Sequence, residues 1–172
     1  KLKTPSGGEG CRTLVEYSID GIDLTGLFEG STGPISFADD PRKYIPETGS
    51  IIYSVWNPKA EFVYIGIAGL EKDLGRRNPV SRMVSHASGR RSGDQFCIYV
   101  HDHYVVPELV KCGNYSPKNG YLDALTREYI RKNLSYRFLD FQASDSDAVV
   151  RSLEKQIKAG VLGFKPVLNG DP

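Results

Sequence analysis

Two tyrosines, an arginine, a histidine and a glutamate are spaced along this chain in a way that could serve phosphate chemistry. Tyr53 lies in the apolar run "IIYSVW" and Tyr64 in "EFVYIGI", with the polar connection "NPKA" between them. Arg82 and His86 stand in "SRMVSHA", and Glu154 in "RSLEKQI". Phosphodiester hydrolysis needs an activated water, a cation for the phosphorus oxygens, a ligand for an assisting metal and some stabilisation of the leaving oxygen. A phenol, an imidazole, a guanidinium and a carboxylate can supply those functions between them. Taken singly, each residue also has a plainer role. The tyrosines suit a core or a sheet edge, and Arg82 and His86 suit a solvated helix face. Glu154 is harder to set aside, because an acid at the rim of an apolar stripe must reach water, a partner or a metal.

The elements that must position these residues follow from local pattern. "IIYSVW" and "EFVYIGI" are rich in β-branched and aromatic residues, and Asn57 and Pro58 favour a turn, so the pair reads as a hairpin. Alternation puts Ile51, Tyr53 and Val55 on one face of the first arm and Phe62, Tyr64 and Gly66 on one face of the second. Asn78 can cap a helix with Pro79 in its first turn. Val80, Met83, Val84 and Ala87 then form its apolar stripe, with Arg82 and His86 facing away from it. "QFCIYVHD" reads as a further strand, which would carry His101 and His103 on one face, and residues 104–120 as a long irregular excursion. "YLDALTREYIRKNL" predicts an amphipathic helix and "YRFLDF" a strand. The last helix, in "SDSDAVVRSLEKQIKAG", has Ser144 as its cap, a stripe of Val149, Val150, Leu153 and Ile157, and Gly160 as its stop. Upstream, residues 1–12 carry little apolar surface and predict a flexible end. "LVEYSI" reads as a strand and "TGLFEG" as a short turn or helix. Without regular βαβ alternation, the fold class is α+β: a small, mainly antiparallel sheet flanked by helices.

Length and composition bound the answer. A chain of 172 residues, 40% hydrophobic, can build one ordinary core, so residues 1–172 read as a single domain. Residues 1–48 form an amino-terminal extension and 49–170 the core. No apolar run is long enough for a membrane span. Cys11, Cys97 and Cys112 form no CxxC pair, which suits a reducing, cytoplasmic setting. The net charge is only +1, but charge is unevenly placed. Between residues 72 and 91, Lys72, Arg76, Arg77, Arg82, Arg90 and Arg91 are opposed by Asp73 alone. Such clustering favours a surface that meets nucleic-acid phosphates. Zinc at His101 and His103 lacks a cysteine cluster to complete it, and Cys97 lacks the surroundings of a nucleophile. Gly66, Gly69 and Gly75 make no phosphate-binding loop.

The order "IIYSVWNPKAEFVYIGIAG", "RMVSH", "SLEKQI" and "KPVLNG" resembles the landmarks of the GIY-YIG nuclease superfamily across roughly residues 49–170. The two motif tyrosines fall on Tyr53 and Tyr64, the helix-borne arginine on Arg82 and the histidine on His86. The metal-binding glutamate falls on Glu154 and the late asparagine on Asn169. Ile51 stands where the motif has its first glycine, and the segment between Tyr64 and Arg82 is longer than in compact members. The resemblance implies a GIY-YIG-like nuclease fold and an endonuclease that cuts double-stranded DNA with one Mg2+, for which Mn2+ can substitute. Its small type II restriction enzymes are the nearest in kind, and a homodimer would place one site on each strand. Tyr53 or His86 would take the proton of the attacking water, Arg82 would stabilise the phosphate, Tyr64 would position water or phosphate, and Glu154 would hold the metal. Lys72, Arg76, Arg77, Arg90 and Arg91 would contact DNA. Homing, repair or phage-defence nucleases, a noncatalytic DNA-binding module and a structural adaptor are the alternatives.

Overall fold

A computed structural model of the chain describes residues 17–30, 33–69, 78–113, 115–116, 118–142 and 146–170. Its centre is the expected hairpin, β4 (Ser50–Trp56) and β5 (Phe62–Ala68), antiparallel with Tyr53 opposite Gly66 and Val55 opposite Tyr64. The Asn57 side chain closes the turn by accepting from the backbone N–H groups of Lys59 and Glu61. β6 (Ser135–Phe141) pairs with the other side of β4, and β3 (Ile35–Ser36) pairs with β6, giving the antiparallel order β3-β6-β4-β5. A separate two-stranded ribbon, β1 (Ser18–Ile19) and β2 (Ile22–Asp23), leads into the short helix α1 (Thr25–Phe28).

Each face of the four-stranded sheet is buried by a different set of helices, because both faces of β4 are apolar. On one face Tyr53, Val55 and Tyr64 pack with Val80, Met83 and Ala87 of α2 (Pro79–Ala87) and with Phe96, Cys97 and Val100 of α3 (Gln95–Val100). Ile130 of α5 (Tyr121–Asn133) joins the same layer. On the opposite face Ile52 and Ile65 pack with Leu27 and Phe28 of α1 and with Val150, Leu153 and Ile157 of α6 (Ser146–Ala159). The fold is thus a small α+β domain with helices on both sides of an antiparallel sheet. No helix of the described residues is long and apolar enough to cross a membrane.

Several expectations need correction. The run "QFCIYVHD" is helical: Asp94 caps α3 by accepting from the Phe96 N–H at 3.1 Å, and Phe96, Cys97 and Val100 make an i, i+1, i+4 stripe. Helical structure continues through a π-turn (His101–Val105) and α4 (Val106–Cys112) to Gly113, whose φ of +65° ends it. Much of the expected irregular excursion is therefore helix, with Pro107 placed where the π-turn passes into α4. Phe62 leaves the Tyr64 face because a bulge beside Trp56 shifts the register, and it joins the layer of Phe28 and Phe164. The cap expected at Ser144, the flexible end at residues 1–12 and the start of "LVEYSI" lie outside the described residues.

Leu153 anchors α6 against the sheet from a site only 1% exposed. Leu153→Ala should cost about 2–5 kcal/mol of unfolding free energy, the range for emptying a packed core position. Urea denaturation measures it, and a loss below about 1 kcal/mol would contradict this packing.

Candidate active site

Tyr53 and His86 meet inside the first layer. The Tyr53 hydroxyl lies 2.6 Å from His86 Nε2, and His86 Nδ1 lies 2.9 and 3.0 Å from the two carboxylate oxygens of Asp94. Because Asp94 can only accept, Nδ1 carries the imidazole proton, Nε2 is left as an acceptor, and the phenol donates to it. Ser85 donates to the second Asp94 oxygen at 2.8 Å. All of this is shielded: Tyr53 and His86 are fully buried and Asp94 is 2% exposed.

His86 therefore does not face away from the apolar stripe as expected. The buried side of α2 runs through Val80, Met83, His86 and Ala87, and Val84 is the residue left exposed. An imidazole is tolerated there because both ring nitrogens have partners. Asn78 and Pro79 behave as expected, the Asn78 side chain accepting from the Ser81 N–H at 2.7 Å.

Environment sets the protonation of the set. Burial pushes the Tyr53 phenol well above its ordinary value, with the neighbouring Tyr64 adding to the rise. Burial likewise raises Tyr64 to about 12. Burial lowers His86 from its ordinary 6.5 despite Asp94 beside it, so the imidazole is neutral near pH 7. Burial, the largest single influence, would raise Asp94, but the bond and charge of His86, the Ser85 hydroxyl and the Arg82 charge together outweigh it and keep the carboxyl below its usual range. Arg82 is held charged: burial opposes the cation, and the two tyrosines and Asp94 favour it more strongly. Its Nε is buried without a partner, a donor in reserve at the edge of the tyrosine pair.

Gly66 makes the close approach of the tyrosines feasible. Their rings stack with centroids 6.2 Å apart, and a Cβ on Gly66 would sit 2.8 Å from Tyr64 Cε1 and overlap the Tyr53 hydroxyl.

Glu154 comes from the other helical layer, on α6. Together with Tyr99, Lys155, Lys158, Leu168 and Asn169 it lines a cavity of about 580 Å³. Its charge is felt by Tyr64, so it lies within electrostatic reach of the tyrosine pair. Glu154 is held by Lys158 at 2.9 Å. Asn169 clamps β5: its amide donates to the Ile65 carbonyl at 2.7 Å and accepts from the Ile65 N–H at 3.1 Å. Tyr53, Tyr64, Arg82 and His86 thus converge directly, Glu154 lines a cavity whose lining includes none of these four and reaches the group only through its charge on Tyr64, and Asn169 braces the strand.

No family model matches the chain, and no curated protein or solved structure matches it significantly. Its chemistry must be argued from the geometry above.

Asp94 was missed by the sequence reading. Its signal was an Asp just before the apolar run "QFCIYV", a capping pattern that goes unseen once that run is taken for a strand. Of the basic stretch, Lys72, Arg76 and Arg77 lie outside the described residues. Arg90 is exposed, and Arg91 pairs with Asp123 at 2.8 Å. His101 and His103 do not form a pair: His101 is buried against Thr126, and the His103 ring packs on Tyr104. Cys97 is buried, its thiol raised to about 12 by burial, and it donates to the His86 carbonyl. Among the described residues no three His, Cys, Asp or Glu side chains converge on a ready-made metal site.

Two outcomes follow from this geometry. Gly66→Ala should cost about 1–3 kcal/mol, the usual range for overpacking a filled site, and should weaken the Tyr53–Tyr64 stacking seen in near-UV circular dichroism. A variant with unchanged stability and spectrum would contradict the close contact. The second concerns pH. The unfolded chain protonates His86 near 6.5 whereas the folded site does so only at lower pH. The unfolded state therefore binds more protons in that interval, and stability falls on acidification through it. Between about pH 7.5 and about pH 5.5 the wild-type Tm should drop more steeply than that of His86→Gln, whose remaining slope comes from His101. Parallel curves would place His86 in solvent.

Proposed function

We propose that this chain is a metal-dependent endonuclease of the GIY-YIG type that hydrolyses double-stranded DNA, closest in kind to a small type II restriction enzyme. The observation that carries this reading is the buried hydrogen-bonded series Tyr53–His86–Asp94, set beside Arg82 and Tyr64 in the order the motif requires.

In this reading Arg82 turns its guanidinium onto the phosphate, using the Nε that lacks a protein partner, and so stabilises charge on the phosphorus oxygens. That movement uncovers the Tyr53 hydroxyl. Burial disfavours a preformed phenolate, so Tyr53 takes the proton of the attacking water as it passes its own to His86 Nε2. Asp94 holds the Nδ1 proton in place and stabilises the imidazolium that forms. Tyr64, also largely buried, aligns the phosphate through its hydroxyl.

The described residues do not by themselves make a metal site: the cavity offers one carboxylate, paired with Lys158 and flanked by Lys155. Glu154 is the carboxylate lining the cavity, and about 580 Å³ leaves room for an ion that keeps most of its water. The resemblance alone assigns Glu154 a magnesium ion, with manganese as substitute, and most of its ligands would have to be water and phosphate oxygens. Asn169 would keep the adjoining strand in place rather than bind the ion, since its amide is engaged by Ile65. With one such constellation per chain, a homodimer would be needed to cut both strands in one encounter. Arg90 and Arg91, with Lys72, Arg76 and Arg77, would contact the DNA backbone.

Digestion of a diverse duplex library with Mg2+, followed by sequencing of every cut end, tests activity, sequence preference and cut geometry together. Glu154→Gln and Asp94→Asn should each lower turnover by roughly hundredfold or more while largely sparing DNA affinity. Binding without cleavage by the wild type would return the noncatalytic DNA-binding module, and absence of both would reject the reading.

A further inference from the structure

β3 covers only the start of β6, at Ser135 and Tyr136, so among the described residues the far side of β6 is open from Arg137 onward. Backbone groups along an antiparallel strand turn alternately to one neighbour and the other. Leu134 accepts from the Phe37 N–H on the β3 side, and by that alternation Tyr136 and Phe138 turn the same way. Tyr136 meets Ile35 there, whereas Phe138 meets no strand. A cavity of about 410 Å³ opens at this step. Its lining includes Lys43, Tyr44, Tyr136, Arg137 and Phe138, with no carboxylate among the described residues. The Tyr136 side chain is 1% exposed, yet its hydroxyl has no hydrogen-bond partner among them. Such a donor costs stability unless something fills the place opposite it. Tyr44 acts on this phenol and lines the same cavity, which puts the hydroxyl end of the ring on that side. Burial holds the phenol far above its ordinary value, so it keeps its proton and is available to donate. Asp39 and Asp40 also act on it, but neither lines the cavity, and Asp40 is committed to Arg42.

We propose that this cavity is a phosphate site, in which the Tyr136 hydroxyl and the Phe138 N–H donate to phosphate oxygens while Lys43 and Arg137 supply positive charge. Two cations and two neutral donors suit a tetrahedral oxyanion, which presents acceptors in several directions. The Tyr136 O–H is then satisfied without moving its ring, which packs on Phe37 with centroids 4.9 Å apart. Lys43 ends a 3-10 turn (Pro41–Lys43) capped by Asp40, so its backbone is held in place while its exposed side chain can close over the ligand. None of these groups belongs to the Tyr53–His86–Asp94 series, and the site does not depend on the nuclease reading. The phosphate is a free ion or ester, or one group of a DNA backbone, and the two sources are separable by experiment.

The test uses the full chain. Inorganic phosphate is titrated by calorimetry, with chloride at matched ionic strength as reference, and a short duplex is followed by fluorescence anisotropy without divalent metal. The wild type should bind phosphate above the chloride reference. Tyr136→Phe, which removes one oxygen and keeps the ring, should weaken phosphate binding roughly tenfold, and Lys43→Met several-fold. Without phosphate, Tyr136→Phe should be at least as heat-stable as the wild type, because it loses a buried donor that has no partner; a hydroxyl that merely braced the core would lower Tm when removed. Lys111→Met, which removes a charge from α4, should leave phosphate affinity unchanged. Parallel loss of duplex affinity in the Tyr136 and Lys43 variants assigns the phosphate to DNA, and unchanged duplex affinity assigns it to a free ion or ester. Phosphate binding that survives Tyr136→Phe overturns the site, as does a wild type that binds no phosphate above the reference. An equal loss in Lys111→Met reduces the effect to net charge and overturns it too. Each of these results leaves the nuclease reading standing.

Discussion

A phenol, an imidazole and a carboxylate are enclosed in the layer between the sheet and α2 and bonded in series, the carboxylate accepting from Ser85 and the Phe96 N–H as well. A buried polar group left without a partner costs far more than a made hydrogen bond returns. The positions of β4, α2 and α3 are therefore tied to one another by three side chains and not merely by apolar contact. Asp94 carries two of these ties, since the same carboxylate caps α3 and anchors His86. The sheet register contributes the remaining condition by setting Gly66 opposite Tyr53, where any side chain would fill the space the hydroxyl occupies.

The layers divide labour. The polar series sits wholly on the α2 and α3 side, whereas Glu154 is borne by the helix on the opposite face and acts on the group only through its charge on Tyr64. The Tyr53–His86–Asp94 series and Glu154 thus rest on separate hydrophobic clusters. Packing errors under α6 would displace the carboxylate and leave the Tyr53–His86 bond intact. The converse holds for α2.

The elements read correctly from sequence were those whose signals are local and redundant. Asn78 and Pro79 fix the start of α2 by capping and by φ, and the stripe of Val150, Leu153 and Ile157 has a single interpretation as helix. The hairpin was legible for the same reason. "QFCIYV" was not, because a short apolar run has no period of its own and only the preceding Asp decides between strand and helix. The apolar stripe expected at Val80, Met83, Val84 and Ala87 turned His86 outward, whereas the helix buries His86 and exposes Val84. The burial of that imidazole depends on Tyr53 and Asp94, which are distant in sequence, and no local pattern encodes that kind of long-range satisfaction. The types of the site residues could be read; their depth could not.

The segment that carries Asn169 also does something for the sheet as a whole. Val167 and Leu168 donate backbone N–H groups to the carbonyls of Phe62 and Val63, and the Asn169 amide engages both polar groups of Ile65. β5 is the outer strand on that side, so these are the groups with which another chain would pair. The C-terminal turn occupies them as a molecular hem. Strand-to-strand polymerisation through β5 is blocked wherever the hem is in place, and loosening it would expose an apolar strand rich in Val, Ile and Tyr to aggregation as well as slackening the site.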